Sequence, residues 1–376
     1  MEHAEMLPRD TAVQLIDADG STVADETYAM PGTETLLAAY RGLVDGRRIN
    51  DQAGALVRQG RLAVYPSSHG QEACQIGAAL AISAEDWLFP TYRDSVAVIA
   101  RGVAPAEAMV LLKGDWHSGY DVRAHRVAPQ ATPLATQLLH AVGFAYAAKQ
   151  RGEHTVVIAL CGDGATSEGD FHEAMNFAAV FHVPVVFFVQ NNEFAISVPL
   201  SRQTAAPSLA HKAIGYGMPG RRVDGNDVAA VLAVLGEAVD RARSGGGPTL
   251  VEAHTYRMQA HTNADDDTRY RERDEVRAWV ARDPLTRLRT HLTGVGALTA
   301  ELEAEYAAGA ERIATAMREA LNADSDLDPE DLFRFVTETR SPQLEEQWQM
   351  LRGEIERTRT ADAAPTAQAT PIGGSR

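Results

Sequence analysis

The feature that most constrains this chain is a strand, turn, helix and strand at its centre. Thr155-Val156-Val157-Ile158-Ala159-Leu160 is an apolar run rich in β-branched residues, which suit a pleated surface and read as a strand. A turn of small and acidic residues follows, Cys161-Gly162-Asp163-Gly164-Ala165-Thr166-Ser167-Glu168-Gly169-Asp170. Phe171, Met175 and Ala178 then recur at helical spacing, and a second apolar run covers residues 183–189. A run without polar alternation is buried on both faces, and two such strands joined by a helix are parallel neighbours. The unit predicts an α/β domain with a mainly parallel sheet and helices on both faces, its functional loops at the carboxyl ends of the strands.

The flanking sequence extends this pattern. Leu36, Leu37, Tyr40, Leu43 and Val44 predict a helix near 33–59, with Thr33 and Glu34 at its start. Leu134, Leu138, Val142 and Tyr146 predict another that stops at Gly152, and residues 228–239 a third, ended by Gly245-Gly246-Gly247-Pro248. Thr249-Leu250-Val251-Glu252-Ala253 is a further strand. Residues 1–30, broken by Pro8 and residues 17–20, read as an N-terminal arm with little regular structure, and 31–340 as the α/β domain. Beyond Arg273 the spacing is helical, and Leu344, Trp348, Leu351 and Ile355 form an apolar seam on a C-terminal helix over 341–359. That seam either packs on its own domain or meets a partner. Residues 360–376, rich in Ala, Thr, Pro and Gly, read as a disordered tail.

Charge and cysteines narrow the function. Thirty-five Lys and Arg against 51 Asp and Glu leave a formal charge of −16 with no basic patch, which argues against nucleic acid or an anionic lipid surface as partner. Cys74 and Cys161 lie far apart, so no paired thiolates are available for a metal and a reducing compartment is expected. No apolar run reaches the ~18 to 20 residues a membrane span needs, and the expected location is cytoplasmic.

The turn after the first central strand suits an anion, because small residues let backbone N–H groups approach it. It is not the dinucleotide pattern: Ser167 stands where the third glycine of G-x-G-x-x-G belongs. The next strand ends in Gln190-Asn191-Asn192-Glu193-Phe194. Asp163 and Asn192 therefore lie at the carboxyl ends of two strands joined by one crossover, where a carboxylate and an amide oxygen can converge on a hard cation. Oxygen donors suit Mg²⁺ shared with substrate phosphates. The competing reading makes Asp163 a turn cap and Asn191-Asn192 a tight loop.

Gly162-Asp163-Gly164 through Asn191-Asn192 resembles the thiamine diphosphate-binding motif. The chain from about Thr33 to Pro342 resembles the α-subunit of the decarboxylating component of 2-oxo acid dehydrogenases. Further matches in family order are Gly70-Gln71-Glu72-Ala73, Pro90-Thr91-Tyr92-Arg93, Pro133-Leu134-Ala135-Thr136-Gln137, Val223-Asp224-Gly225-Asn226-Asp227, and Tyr256-Arg257 to Tyr270-Arg271 with His261 inside. The resemblance implies the thiamine diphosphate-binding fold and oxidative decarboxylation of a 2-oxo acid, with acyl transfer to the lipoyl group of an acyltransferase component. It implies Mg²⁺ on Asp163, Asn192 and the Phe194 carbonyl. Thr91, Tyr92, Arg93 and His261 would lie at the diphosphate, with Gly162, Gly164 and Ala165 lining it by backbone. Leu134 would meet the aminopyrimidine. His261 and Thr132 would be the catalytic pair, Thr132 also touching the cofactor, and Thr136 and Gln137 would hold a structural K⁺.

The family pattern is not matched everywhere. Gln190 stands where branched-chain relatives often carry Arg, Thr91 where they often carry Gln, and Phe194 where Tyr is common, so one cationic contact to the diphosphate is expected to be missing. A β-subunit, in a heterotetramer of two α- and two β-subunits, is the implied partner. Branched-chain 2-oxo acids are favoured as substrate over pyruvate and acetoin, and a non-catalytic scaffold homologue is the alternative from another class.

Overall fold

The computed structural model describes residues 6–114, 119–323 and 328–362. Two compact units divide the chain, the first ending at Ala323. In chain order the first opens with helices α1 (Thr33–Arg58) and α2 (Glu72–Leu80), strand β1 (Trp87–Phe89), and helices α3 (Ser95–Ala100), α4 (Pro105–Lys113), α5 (Val122–His125) and α6 (Thr136–Gln150). Then come β2 (Val157–Gly162), α7 (Gly169–Val180), β3 (Val185–Asn191), a small hairpin of β4 (Phe194–Ala195) and β5 (Val198–Pro199), β6 (Gly220–Asp224), α8 (Val228–Arg243) and β7 (Thr249–His254). Helices α9 (Arg273–Val280), α10 (Pro284–Gly294) and α11 (Ala300–Asn322) close the unit.

The five long-range strands form one parallel sheet in the order β1, β2, β3, β7, β6. Successive side chains leave a strand on opposite faces, and both faces here are apolar. Ile158, Leu160, Val186, Phe188 and Val251 pack with Ile76 of α2 and Val231 and Leu235 of α8. Val157, Ala159, Cys161, Phe187 and Val189 pack on the other side with Leu138 and Val142 of α6 and Phe171 and Met175 of α7. Helices therefore cover both faces, as the uninterrupted apolar runs require. The register aligns the strand ends: Gly162 pairs with Gln190, Asn191 with His254, and His254 with Asp224.

Local chemistry fixes the helix boundaries. Asp227 caps α8 by accepting from the Ala229 and Ala230 N–H groups, and Asp283 with Pro284 starts α10. Gly152, at φ +75, follows the end of α6. The described part of the N-terminal arm makes isolated bridges through Val13 and Ile16 and is buried at Val13, Leu15 and Ile16. Val13 pairs with Val223, which gives the edge strand β6 a partner on its open side. Asp227 accepts from the Leu15 and Ile16 N–H groups at 2.6 and 2.7 Å, so the cap of α8 also anchors the arm.

The second unit contains α12 (Asp331–Arg334) and α13 (Pro342–Asp362). Its seam residues Leu344, Trp348, Leu351 and Ile355 are half-buried, and Phe333 lies 5.7 Å from the Trp348 ring. Residues 360–362 continue α13, where disorder was expected, and within it the Thr358 and Thr360 hydroxyls donate to the Glu354 and Glu356 carbonyls. The rest of the expected tail lies outside the described residues. No helix among them is long and apolar enough to cross a membrane.

Candidate active site

At the end of β2 the chain turns into one 3-10 segment, Asp163–Ser167. Gly162 is extended, and a Cβ built on it meets nothing within 4 Å, so its backbone borders open space. A Cβ on Gly164 would come to 2.8 Å from that of Ala195, so only glycine lets the β4–β5 hairpin approach this turn. Ala165 is buried beside them.

Asp163 is 1% exposed. Its Oδ1 accepts from the Asn192 N–H at 3.4 Å and its Oδ2 from Gln203 Nε2 at 2.6 Å, and both partners are neutral amides. Burial pushes its pKa above the ordinary carboxylate value. Asn192 Oδ1 accepts from the Phe194 N–H at 3.3 Å, and its Nδ2 donates to Gln71 Oε1 at 3.1 Å. The Phe194 carbonyl accepts from Arg257 Nη1 at 3.4 Å. A buried carboxylate with no ion-pair partner among the described residues, an amide and a backbone carbonyl make an all-oxygen donor set, which fits a hard divalent ion. Among the described residues no three His, Cys, Asp or Glu side chains converge to hold a metal by themselves.

Facing this set is a concentration of positive charge. Arg93 follows β1 in a turn fixed by Asp94, which accepts from the Thr91 N–H at 2.7 Å. The buried Arg93 guanidinium donates to the Ser67 carbonyl at 2.9 Å and the His261 carbonyl at 3.1 Å, and its Nη2 lies 3.0 Å from His261 Nδ1. Arg257, 1% exposed, donates to the Ile196 carbonyl at 2.7 Å and the Tyr270 hydroxyl at 2.9 Å, and lies 3.4 Å from the same His261 nitrogen. The partners of both guanidiniums are carbonyls, a hydroxyl and an imidazole, none of them a carboxylate. Two buried guanidiniums side by side, neither in an ion pair among the described residues, suit an anionic ligand with several acceptor oxygens.

That arrangement decides the state of His261. A guanidinium only donates, so Nδ1 accepts and the neutral ring carries its proton on Nε2, which has no partner among the described residues. Burial, then the charges of Arg93 and Arg257, lower the His261 pKa to about 4. Asp265 accepts from the His261 backbone N–H at 2.9 Å and from the Tyr270 hydroxyl, which ties the loop after β7 together. The Tyr92 ring lies edge-on to His261 at 6.2 Å.

The expected residues are not gathered equally. Asp163, Asn192, Phe194, Arg93 and His261 belong to one connected network. Thr91 joins through its hydroxyl, which accepts from the Arg93 N–H at 3.2 Å, and through its N–H, which donates to Asp94. Leu134 is 41% exposed, and its carbonyl is tied to that of Leu160 through the Gln137 amide, 3.0 Å from each. Thr132 is exposed and shares no hydrogen bond with the cluster. Thr136 donates to Asp170 at 2.9 Å.

Three further participants were not singled out from sequence. Arg257 was visible only as part of Tyr256-Arg257, and Gln71 as part of Gly70-Gln71-Glu72; Gln203, from the loop after the hairpin, carried no signal. Gln190, the position of the missing Arg, is buried and donates to Asp94 at 2.7 Å while accepting from Gln71 at 3.4 Å. It belongs to a neutral amide relay from Asp94 to Asn192, and the positive charge of the site comes from Arg93 and Arg257.

The chain matches the family model described as dehydrogenase E1 component over residues 41–329. It is 49% identical over 348 residues to the 3-methyl-2-oxobutanoate dehydrogenase subunit alpha of Mycobacterium tuberculosis (strain ATCC 25618 / H37Rv), covering 92% of this chain and 95% of that protein. It is 38% identical over 343 residues to the pyruvate dehydrogenase E1 component subunit alpha of Staphylococcus aureus (strain Mu50 / ATCC 700699), covering 90% and 92%. Matches of this extent span the whole parallel sheet and every residue of the cluster at its carboxyl end, and the chain belongs to the dehydrogenase E1 component family.

Proposed function

We propose that this chain is the α-subunit of a thiamine diphosphate- and Mg²⁺-dependent 2-oxo acid dehydrogenase that acts on branched-chain 2-oxo acids and passes the acyl group to a lipoyl-bearing acyltransferase. The observation that carries the reading is the adjacency of the Asp163, Asn192 and Phe194 oxygens to the Arg93 and Arg257 guanidiniums, which hydrogen-bond no carboxylate among the described residues. One side fits a divalent cation and the other a diphosphate. When bound, thiamine diphosphate supplies the electron sink for loss of CO₂ from a 2-oxo acid.

The chain's own residues bind and orient. Asp163, Asn192 and the Phe194 carbonyl would hold the metal; Tyr92, Arg93, Arg257 and the backbone from Gly162 to Ala165 would hold the diphosphate. His261 keeps a proton at Nε2, free to donate to an oxygen that gains charge during acyl transfer. The greater identity to a branched-chain enzyme than to a pyruvate enzyme supports the substrate preference. The test is reduction of an artificial electron acceptor by the chain reconstituted with its β-subunit, comparing branched-chain 2-oxo acids, pyruvate and acetoin. Faster turnover of a branched-chain acid is expected; a preference for pyruvate or acetoin would overturn the substrate assignment, and no turnover of any would overturn the catalytic reading.

A further inference from the structure

The loop that carries two of the three metal-donor residues contains a conformational anomaly between them. Glu193, flanked by Asn192 and Phe194, has φ +74, a left-handed conformation disfavoured for any L-residue other than glycine. The backbone is nonetheless fixed there: the Glu193 N–H donates to Asn191 Oδ1 at 3.2 Å and its carbonyl accepts from the Leu200 N–H at 2.9 Å. Its side chain reaches the end of the next strand in the sheet, where His254 Nε2 donates to Glu193 Oε1 at 2.5 Å.

His254 is braced in turn. Its ring stands edge-on to Trp279 at 5.2 Å, and Trp279 stacks on Tyr256 at 5.4 Å with the planes 10° apart. Tyr256 meets the Phe194 ring edge-on at 6.1 Å. Glu193, His254, Trp279, Tyr256 and Phe194 thus form a closed circuit, leaving the metal loop by the side chain of one residue and returning by that of the next.

We propose that Glu193 and His254 are positioning residues, a clasp that holds the metal loop in its strained conformation so that Asn192 Oδ1 and the Phe194 carbonyl are placed before cofactor arrives. The inference rests on the Mg²⁺-diphosphate reading above. Neither side chain is a ligand; each acts through the backbone at Glu193. This has a consequence that a general structural role lacks. Alanine at 193 removes the clasp and keeps the strain, whereas glycine removes both, because it reaches positive φ without a Cβ penalty.

The experiment uses the chain assembled with its β-subunit, titrated calorimetrically with thiamine diphosphate at several Mg²⁺ concentrations, with the thermal midpoint of the cofactor-free complex measured alongside. Glu193→Ala and His254→Ala are expected to weaken Mg²⁺-dependent binding by about tenfold. Glu193→Gly should stay within about threefold of the parent, and Glu193→Gly combined with His254→Ala should match Glu193→Gly alone. A Gly variant as weak as the Ala variant, or an Ala variant that binds like the parent, would overturn the clasp while leaving the cofactor reading intact. Absence of Mg²⁺-dependent binding by the parent complex would overturn the cofactor reading, and the clasp with it.

Discussion

Two guanidiniums directed at one imidazole nitrogen set the chemistry of this site at the scale of single residues. Folding holds His261 neutral to about pH 4, against an unfolded value near 6.5. The unfolded chain therefore binds the extra proton first on acidification. Stability from this residue is complete above pH ~6.5 and is lost as the pH falls toward 4. Unfolding measured from pH 7 to 4 should show a steeper loss for the parent than for His261→Asn, and equal slopes would contradict the assignment. Added diphosphate should raise the His261 pKa by neutralising Arg93 and Arg257, which the imidazole resonances report directly. Asp163 makes the opposite compromise, a buried carboxylate kept without a cation. Asp163→Asn should raise the melting temperature of the cofactor-free protein by a few degrees, a gain on the order of 1 kcal/mol. The same change should weaken Mg²⁺-dependent cofactor binding on the order of 100-fold. A variant that lost stability and kept its affinity would rule out Asp163 as a metal ligand.

Among the elements, the strand ends decide where the side chains arrive. The apolar runs predicted strands at 155–160 and 183–189, and the ladders occupy Val157–Gly162 and Val185–Asn191. Both move toward the carboxyl end because parallel pairing with β1 and β7 sets the register, drawing Gln190 and Asn191 into the sheet although neither is apolar. Two strands of the five-stranded sheet gave no sequence signal: β1 has three residues, and β6, at the sheet edge, carries half-buried Arg221 and Arg222. The segment between β7 and α9 is the element expected to change on binding. Residues 262–269 are mostly polar and exposed, whereas Arg271 is anchored through the Arg257 and Met258 carbonyls. Hydrogen exchange should show residues 261–269 gaining protection with thiamine diphosphate and Mg²⁺ while residues 270–273 change little. Equal exchange with and without cofactor would contradict a loop that converges on the anion.

For the whole molecule, the decisive fact is a single parallel sheet. Past His254 the described residues contain helices and no further strand, so they hold no second α/β domain. On the proposed reading, with thiamine diphosphate bound between two such domains, the group that activates the aminopyrimidine comes from the β-subunit. The isolated chain should then lack 2-oxo acid decarboxylation and gain it with the β-subunit. Robust turnover by the chain alone would overturn the subunit logic. The half-buried seam of Leu344, Trp348, Leu351 and Ile355, with exposed Met350 beside it, is a contact to test by Trp348→Ala, read as weaker association with the β-subunit and unchanged unfolding of the α/β domain.

The class of fold was legible in the sequence, because two apolar runs without alternation, joined by a helical pattern, suit a parallel sheet covered on both sides. The sequence also placed a carboxylate and an amide at the ends of two strands, since Asp163 and Asn192 follow closely on those runs. The tertiary structure alone decided the electrostatics. Arg93 and Arg257 are 164 positions apart, and only the register of β1 and β7 beside β2 and β3 turns both toward one face of His261. The same holds for Gln190, which read as a missing positive charge and became a neutral link between Asp94 and Gln71. Local sequence carries the period of burial and the residue types at each strand end, whereas the field at an atom sums charges that the chain brings together only after folding.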